Sequence, residues 1–138
     1  FHLIPTMTAL ENVAMPLEFA GAADAFDRAA NALEQVGLGH RLTHYPGQMS
    51  GGEQQRVAVA RAFVGEPDLL LADEPTGNLD AATGEVVIGL LFDMAARHGS
   101  TLVLITHDER LAARCDRKVT IRDGKVVDDG RVRLEAAQ

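Results

Sequence analysis

Four apolar residues, Leu69 to Ala72, run directly into two adjacent carboxylates, Asp73 and Glu74, and then into Pro75. A run this short and this continuously apolar predicts a strand buried on both faces, as in a parallel sheet. Residues 81–98 follow, with Val87, Leu90, Leu91, Met94 and Ala95 at helical spacing. Residues 101–106 form a second apolar run, expected to be a second buried strand. Strand, helix and strand in that order predict an α/β unit. Carboxylates at the end of such a strand lie where α/β sheets place ligands. Asp73 and Glu74 are therefore candidates for holding Mg²⁺ and for activating a water. Adjacent side chains of an extended chain point to opposite sides, so the two can take separate roles. An acidic pair with no such context is usually a solvated turn.

A helical pattern precedes this unit. Thr8 and Glu11 have capping-box spacing and open a helix near 8–19, which Pro16 should end or kink. A second helix near 22–36 puts Phe26, Ala29, Ala30, Leu33 and Val36 on one stripe, and Gly37 and Gly39 stop it. A helical turn near 40–43 and a break at Tyr45-Pro46-Gly47 follow. Ser50 then caps a helix to about Val64, ended by Gly65 and Pro67. Its first turn contains Gly51 and Gly52. Each costs the helix about 1 kcal/mol relative to alanine. A plain cap needs neither, whereas close approach of bare N–H groups to a phosphate does. Beyond the α/β unit, residues 109–115 read as a short helix. Residues 118–122 and 125–128 read as a hairpin about Asp123-Gly124. Residues 131–138 read as a frayed tail.

Net charge narrows the partners. At −7 the chain is poorly suited to nucleic acid, where lysine and arginine must meet phosphates. A nucleotide is not excluded, since its site uses local backbone dipoles. The single cysteine, Cys115, cannot form an internal disulfide and reads as a semi-buried structural residue. No apolar stretch approaches the ~20 residues of a membrane span. His40 and His44 have i,i+4 spacing but no third ligand nearby, so they give no metal site; His2 and His98 are read as structural. His107, directly after the second apolar run, is placed to meet a terminal phosphate.

Taken together, these motifs resemble the nucleotide-binding subunits of ABC transporters. Met49-Ser50-Gly51-Gly52-Glu53 stands where the family signature is Leu-Ser-Gly-Gly-Gln. Residues 69–74 match its Walker B strand, Gly77-Asn78-Leu79-Asp80 its D-loop, and Thr106-His107-Asp108 its switch region. The resemblance implies an α/β fold comprising part of a P-loop NTPase (RecA-like) core with parallel strands, the ABC α-helical subdomain and a C-terminal β-hairpin. It divides the chain into a helical subdomain with the signature helix (1–65), the C-terminal part of the core (66–130) and a tail (131–138). It implies ATP and Mg²⁺ as cofactors, with Asp73 on the metal and Glu74 and His107 catalytic. Ser50, Gly51, Gly52 and Asp80 would bind nucleotide across a head-to-tail homodimer. An integral membrane permease would be the second partner, no nucleic acid would bind, and the subunit would sit on the cytoplasmic face of the inner membrane. Glu53 departs from the usual glutamine.

The sequence contains no Gly-x-x-x-x-Gly-Lys-Ser/Thr. Residues 1–6 are similar to the segment just after the family's Q-loop, so the resemblance implies the C-terminal portion of a nucleotide-binding domain, inactive by itself. Residues 1–13 and 72–80 are similar to the macrolide-exporter and lipoprotein-release group, and 111–117 to its YbbA-like branch. Two other readings compete. A chromosome-maintenance or DNA-repair ABC ATPase would need long heptad repeats before the signature, and none is sustained. A non-catalytic interaction module would keep the motifs without turnover.

Overall fold

The computed structural model describes residues 2–131. The expected tail lies outside them, apart from the backbone of Arg131. Two compact units share the chain, one up to Val103 and one from Leu104. The architecture is mixed α/β with parallel strands.

In the first unit, helix α1 spans Ala9–Phe19. Thr8 and Glu11 close the expected capping box: Glu11 N–H donates to Thr8 Oγ1 at 3.2 Å, and Thr8 N–H to Glu11 Oε2 at 2.7 Å. The helix continues through Pro16 rather than stopping there. Asn12, fully buried, holds the incoming chain. It accepts the Ile4 N–H at 2.8 Å and donates to the carbonyls of Ile4 and Met7 at 3.1 Å and of Thr8 at 3.0 Å. Helix α2 spans Ala25–Gln35 and buries Ala25, Ala29, Ala32 and Leu33. The expected stripe is thus rotated, and Phe26 lies exposed. Small alanines let α2 sit close to α1, which leaves no room for a phenylalanine on that face. A 3₁₀ turn at Gly39–Arg41 and another at Pro46–Gln48 lead to helix α3, Gly51–Phe63. The core joins Val13 and Leu17 of α1, Ala29 and Leu33 of α2, and Val57 and Ala60 of α3.

Strand β1 is Leu69–Asp73, helix α4 is Ala81–His98 and strand β2 is Thr101–Ile105. Helix α4 has the expected bounds and buries Val87, Ile88, Leu91, Met94 and Ala95. Strands β1 and β2 pair as a two-stranded sheet. The Thr101 N–H donates to Asp68 O at 2.7 Å and the Ser100 hydroxyl to Pro67 O at 2.6 Å, which starts the pairing. Burial on both faces is not what these strands have. Residues alternate between exposed and half-buried, and Leu69, Leu71, Val103 and Ile105 are all exposed. Two strands alone cannot cover both of their own faces; a further layer is needed for that.

In the second unit, after the end of β2, helix α5 is only Glu109–Ala112, shorter than expected. Strands β3 (Arg117–Arg122) and β4 (Lys125–Arg131) form an antiparallel hairpin. Asp123 and Gly124 both take positive φ, 49° and 73°, as a two-residue type I′ turn requires.

Candidate nucleotide site

Ser50 opens α3 as its N-cap, with extended backbone. Its Oγ accepts the Glu53 N–H at 3.2 Å, and its own N–H donates to Glu53 Oε2 at 2.8 Å. The hydroxyl hydrogen is left available to donate outward. Gly51 and Gly52 occupy the first two helical positions, where N–H groups have no acceptor within the helix. This donor set suits an anion. The other Glu53 oxygen, Oε1, accepts from Arg41 Nε at 3.2 Å. The Ser50 N–H first, and the Arg41 guanidinium with it, hold the Glu53 carboxyl below its ordinary value against the opposing effect of burial.

Gly52 has a second reason to be glycine. A Cβ there would lie 2.4 Å from Thr83 Cγ2 of α4. The Thr83 hydroxyl in turn donates to Asp80 Oδ2 at 2.6 Å and its N–H to Oδ1 at 3.0 Å, so Asp80 is the N-cap of α4. Those two bonds, the hydroxyl foremost, hold the Asp80 carboxyl below the usual range. The Ser50–Gly52 and Asp80–Thr83 turns are therefore neighbours. They border an open groove of about 410 Å³, lined by Ser50, Gly52, Glu53 and Arg56 on one side and Thr83 and Val86 on the other. Sequence reasoning singled out Ser50, Gly52 and Asp80 but missed Thr83 and Arg41, which fix them.

Asp73 ends β1 and is exposed. Glu74 follows with φ of 42°, a left-handed conformation unusual for a residue with a side chain. Such a backbone costs about 1–3 kcal/mol and is typical of sites where geometry outweighs comfort. It turns the chain sharply away from the strand; Gly77 N–H donates to Glu74 O at 3.0 Å. Among the described residues no three His, Cys, Asp or Glu gather as a metal cage. Strand-end carboxylates of this kind fit Mg²⁺, which takes one or two carboxylates and completes its shell with water and phosphate.

His107 belongs to the second unit, where it is exposed. It lines a cavity of about 190 Å³ together with Thr106, Asp108, Glu109, Cys115 and Lys118. Asp108 caps α5, accepting the Arg110 N–H at 2.9 Å and pairing with its guanidinium at 3.1 Å. Burial first, then the Asp116 charge, pushes the Cys115 thiol up, which makes it a poor nucleophile.

The family model for ABC transporters matches residues 1–77, more than half of the chain. The chain belongs to the ABC transporter family. Among ABC proteins it is 55% identical over 131 residues to the uncharacterized ABC transporter ATP-binding protein YbbA of Escherichia coli (strain K12), covering 94% of this chain and 58% of that protein. It is 57% identical over 125 residues to the lipoprotein-releasing system ATP-binding protein LolD of Shewanella denitrificans, covering 89% and 54%. Two solved structures of the ABC cassette MJ0796 superpose on it at 40% identity. One is the dimeric bacterial ABC transporter cassette, with a TM-score of 0.81. The other is a dimeric post-hydrolysis state bound to ADP and Pi, with a TM-score of 0.80. Each superposition covers 96% of this chain and 60% of the other. This ABC chain thus spans less than two thirds of the relatives it matches. No described helix is long and apolar enough to cross a membrane.

Proposed function

We propose that this chain is the signature-bearing part of an ATP-hydrolysing subunit that drives a membrane permease. The observation that carries the reading is the strained Glu74 at the end of β1, directly after Asp73 and in the same unit as a glycine-opened helix N-terminus. Bound Mg²⁺ would supply charge neutralisation at the phosphates, with Asp73 holding it through its water shell. Glu74 orients the attacking water and polarises it by accepting its hydrogen bond. His107 donates to the terminal phosphate. Ser50, Gly51 and Gly52 give their hydroxyl and N–H groups to the phosphate bound by the opposite subunit, and Asp80 lies at that subunit boundary. Most of the rate then comes from positioning and charge stabilisation. The dimeric MJ0796 cassettes support the two-subunit arrangement, and the ADP and Pi in one of them support a nucleotide substrate. Likeness to LolD, the ATP-binding protein of a lipoprotein-releasing system, supports a transport role. In this reading the subunit sits peripherally on the cytoplasmic face of the inner membrane, paired with a permease that extracts lipid or lipoprotein or exports a solute.

A mixed dimer of complete subunits tests the composite site. One subunit carries a bulky Gly51 substitution, the other a disabled phosphate-loop lysine. If the signature turn serves the opposite subunit, both lesions fall on one site and the other site still occludes nucleotide. Equal loss at both sites, with both subunits folded, would contradict the arrangement.

A further inference from the structure

We infer that Arg41 is a positioning residue for the Ser50–Gly52 turn, which it serves by holding and neutralising the Glu53 carboxylate. The inference rests on the phosphate-binding reading of that turn. Glu53 closes the cap through Oε2, which accepts the Ser50 N–H at 2.8 Å. A glutamine would do this equally well, because its amide oxygen can accept the same bond. What a carboxylate adds is charge and a second anionic oxygen, and that oxygen takes the Arg41 Nε–H at 3.2 Å. The Glu53 side chain is only 16% exposed. An unpaired anion in such partly dry surroundings, beside a turn that receives phosphate, would repel the ligand. Arg41 cancels it.

Arg41 is itself held in place. Its Nη1 lies within hydrogen-bond distance of His44 Nε2, at 3.1 Å. Among the described residues His44 Nδ1 is buried without a hydrogen-bond partner, so the ring's polar contact there is with Arg41. The loop carrying both residues is fastened to the start of α1: the carbonyls of Leu42 and His44 accept the N–H groups of Leu10 and Ala9 at 3.0 and 2.8 Å. A continuous set of bonds thus runs from α1 through Arg41 and Glu53 to the Ser50 N–H.

The test uses complete subunits and reads the nucleotide concentration needed for dimer closure, by occlusion of labelled ATP. Arg41→Ala exposes the Glu53 charge and should raise that concentration about tenfold, the size of a lost charge-assisted hydrogen bond. Glu53→Gln keeps the cap and removes the charge, so it sets the reference level for the double variant. The double variant Arg41→Ala/Glu53→Gln should return to the level of Glu53→Gln, and added salt should partly rescue Arg41→Ala by screening. Arg41→Lys should fall between wild type and Arg41→Ala. If Arg41→Ala does not fold, Arg41→Gln carries the same comparison. A purely structural arginine gives no rescue by Glu53→Gln, so a double variant no better than Arg41→Ala overturns the inference. So does Arg41→Ala closing like wild type while a bulky Gly51 substitution abolishes closure. Failure of the wild type to close, or closure that ignores the Gly51 substitution, overturns the reading of the turn and this inference with it.

Discussion

The helices α1 to α3 and the strands β1 and β2 solve different problems. The helices enclose one another: Leu33 and Val57 are 0% exposed, and the capping boxes satisfy both α1 and α3 at their starts. The strands carry the catalytic candidates but leave an apolar face open, with Leu71 at 68% exposure and Ile105 at 53%. Helices complete their backbone bonds internally and need only one covered stripe, so three short ones can make a core. A sheet has two faces, and two strands with their connecting helix leave one of them open. Stability of the described residues is therefore concentrated in the helical part, while the candidate carboxylates Asp73 and Glu74 sit at the edge of the part least covered.

The sharpest test of this contrast pairs two leucines. Leu33→Ala in the α2 core should cost about 2–5 kcal/mol, as deletion of a fully buried side chain does. Leu71→Ala in β1 should change the stability of the same chain by less than about 0.5 kcal/mol. Urea unfolding of both variants measures the difference; equal losses would mean that β1 is as well packed as α2. Next in size, Asn12→Leu should cost about 1–3 kcal/mol, because it strands the half-buried Ile4 N–H and removes the buried side-chain donor to three carbonyls. Its signature is loss of amide-exchange protection at Ile4 as well as a lower midpoint.

The smallest effect concerns the cap of α4. The Thr83 hydroxyl and N–H lower the Asp80 carboxyl below its unfolded value. A lowered carboxylate contributes stability that is complete above the unfolded value, about 4, and is lost as pH falls through the lower folded value. Asp80→Asn should therefore melt slightly earlier than wild type near neutral pH, and the gap should close in acid. A gap that widens in acid would mean that Asp80 is not held as an anion.

Much of this was legible in local sequence. Asp123-Gly124 predicted a hairpin because only a few residue types accept positive φ at two successive positions. Ser50, Asp80 and Thr8 predicted helix starts because caps act within three residues. The same reading placed Phe26 in the core and missed its exposure, since the face a helix buries depends on the closeness of its neighbours. It also expected both faces of β1 to be covered, because an apolar run records what a strand requires and not which layer meets it. Arg41 and Thr83 went unnoticed for a related reason. Arg41 reaches Glu53, and Thr83 limits Gly52, across separations that no local pattern encodes. The site motifs were readable one by one, but the contacts that hold the signature turn were not.

In the proposed mechanism Glu74 would activate water, Asp73 would hold Mg²⁺ and the signature turn would hold the nucleotide. Glu74→Gln in the complete subunit keeps the shape and removes the charge. The expected result is ATP that binds and is occluded in a closed dimer, with hydrolysis reduced by at least about a hundredfold. Hydrolysis at the wild-type rate would contradict the assignment of Glu74.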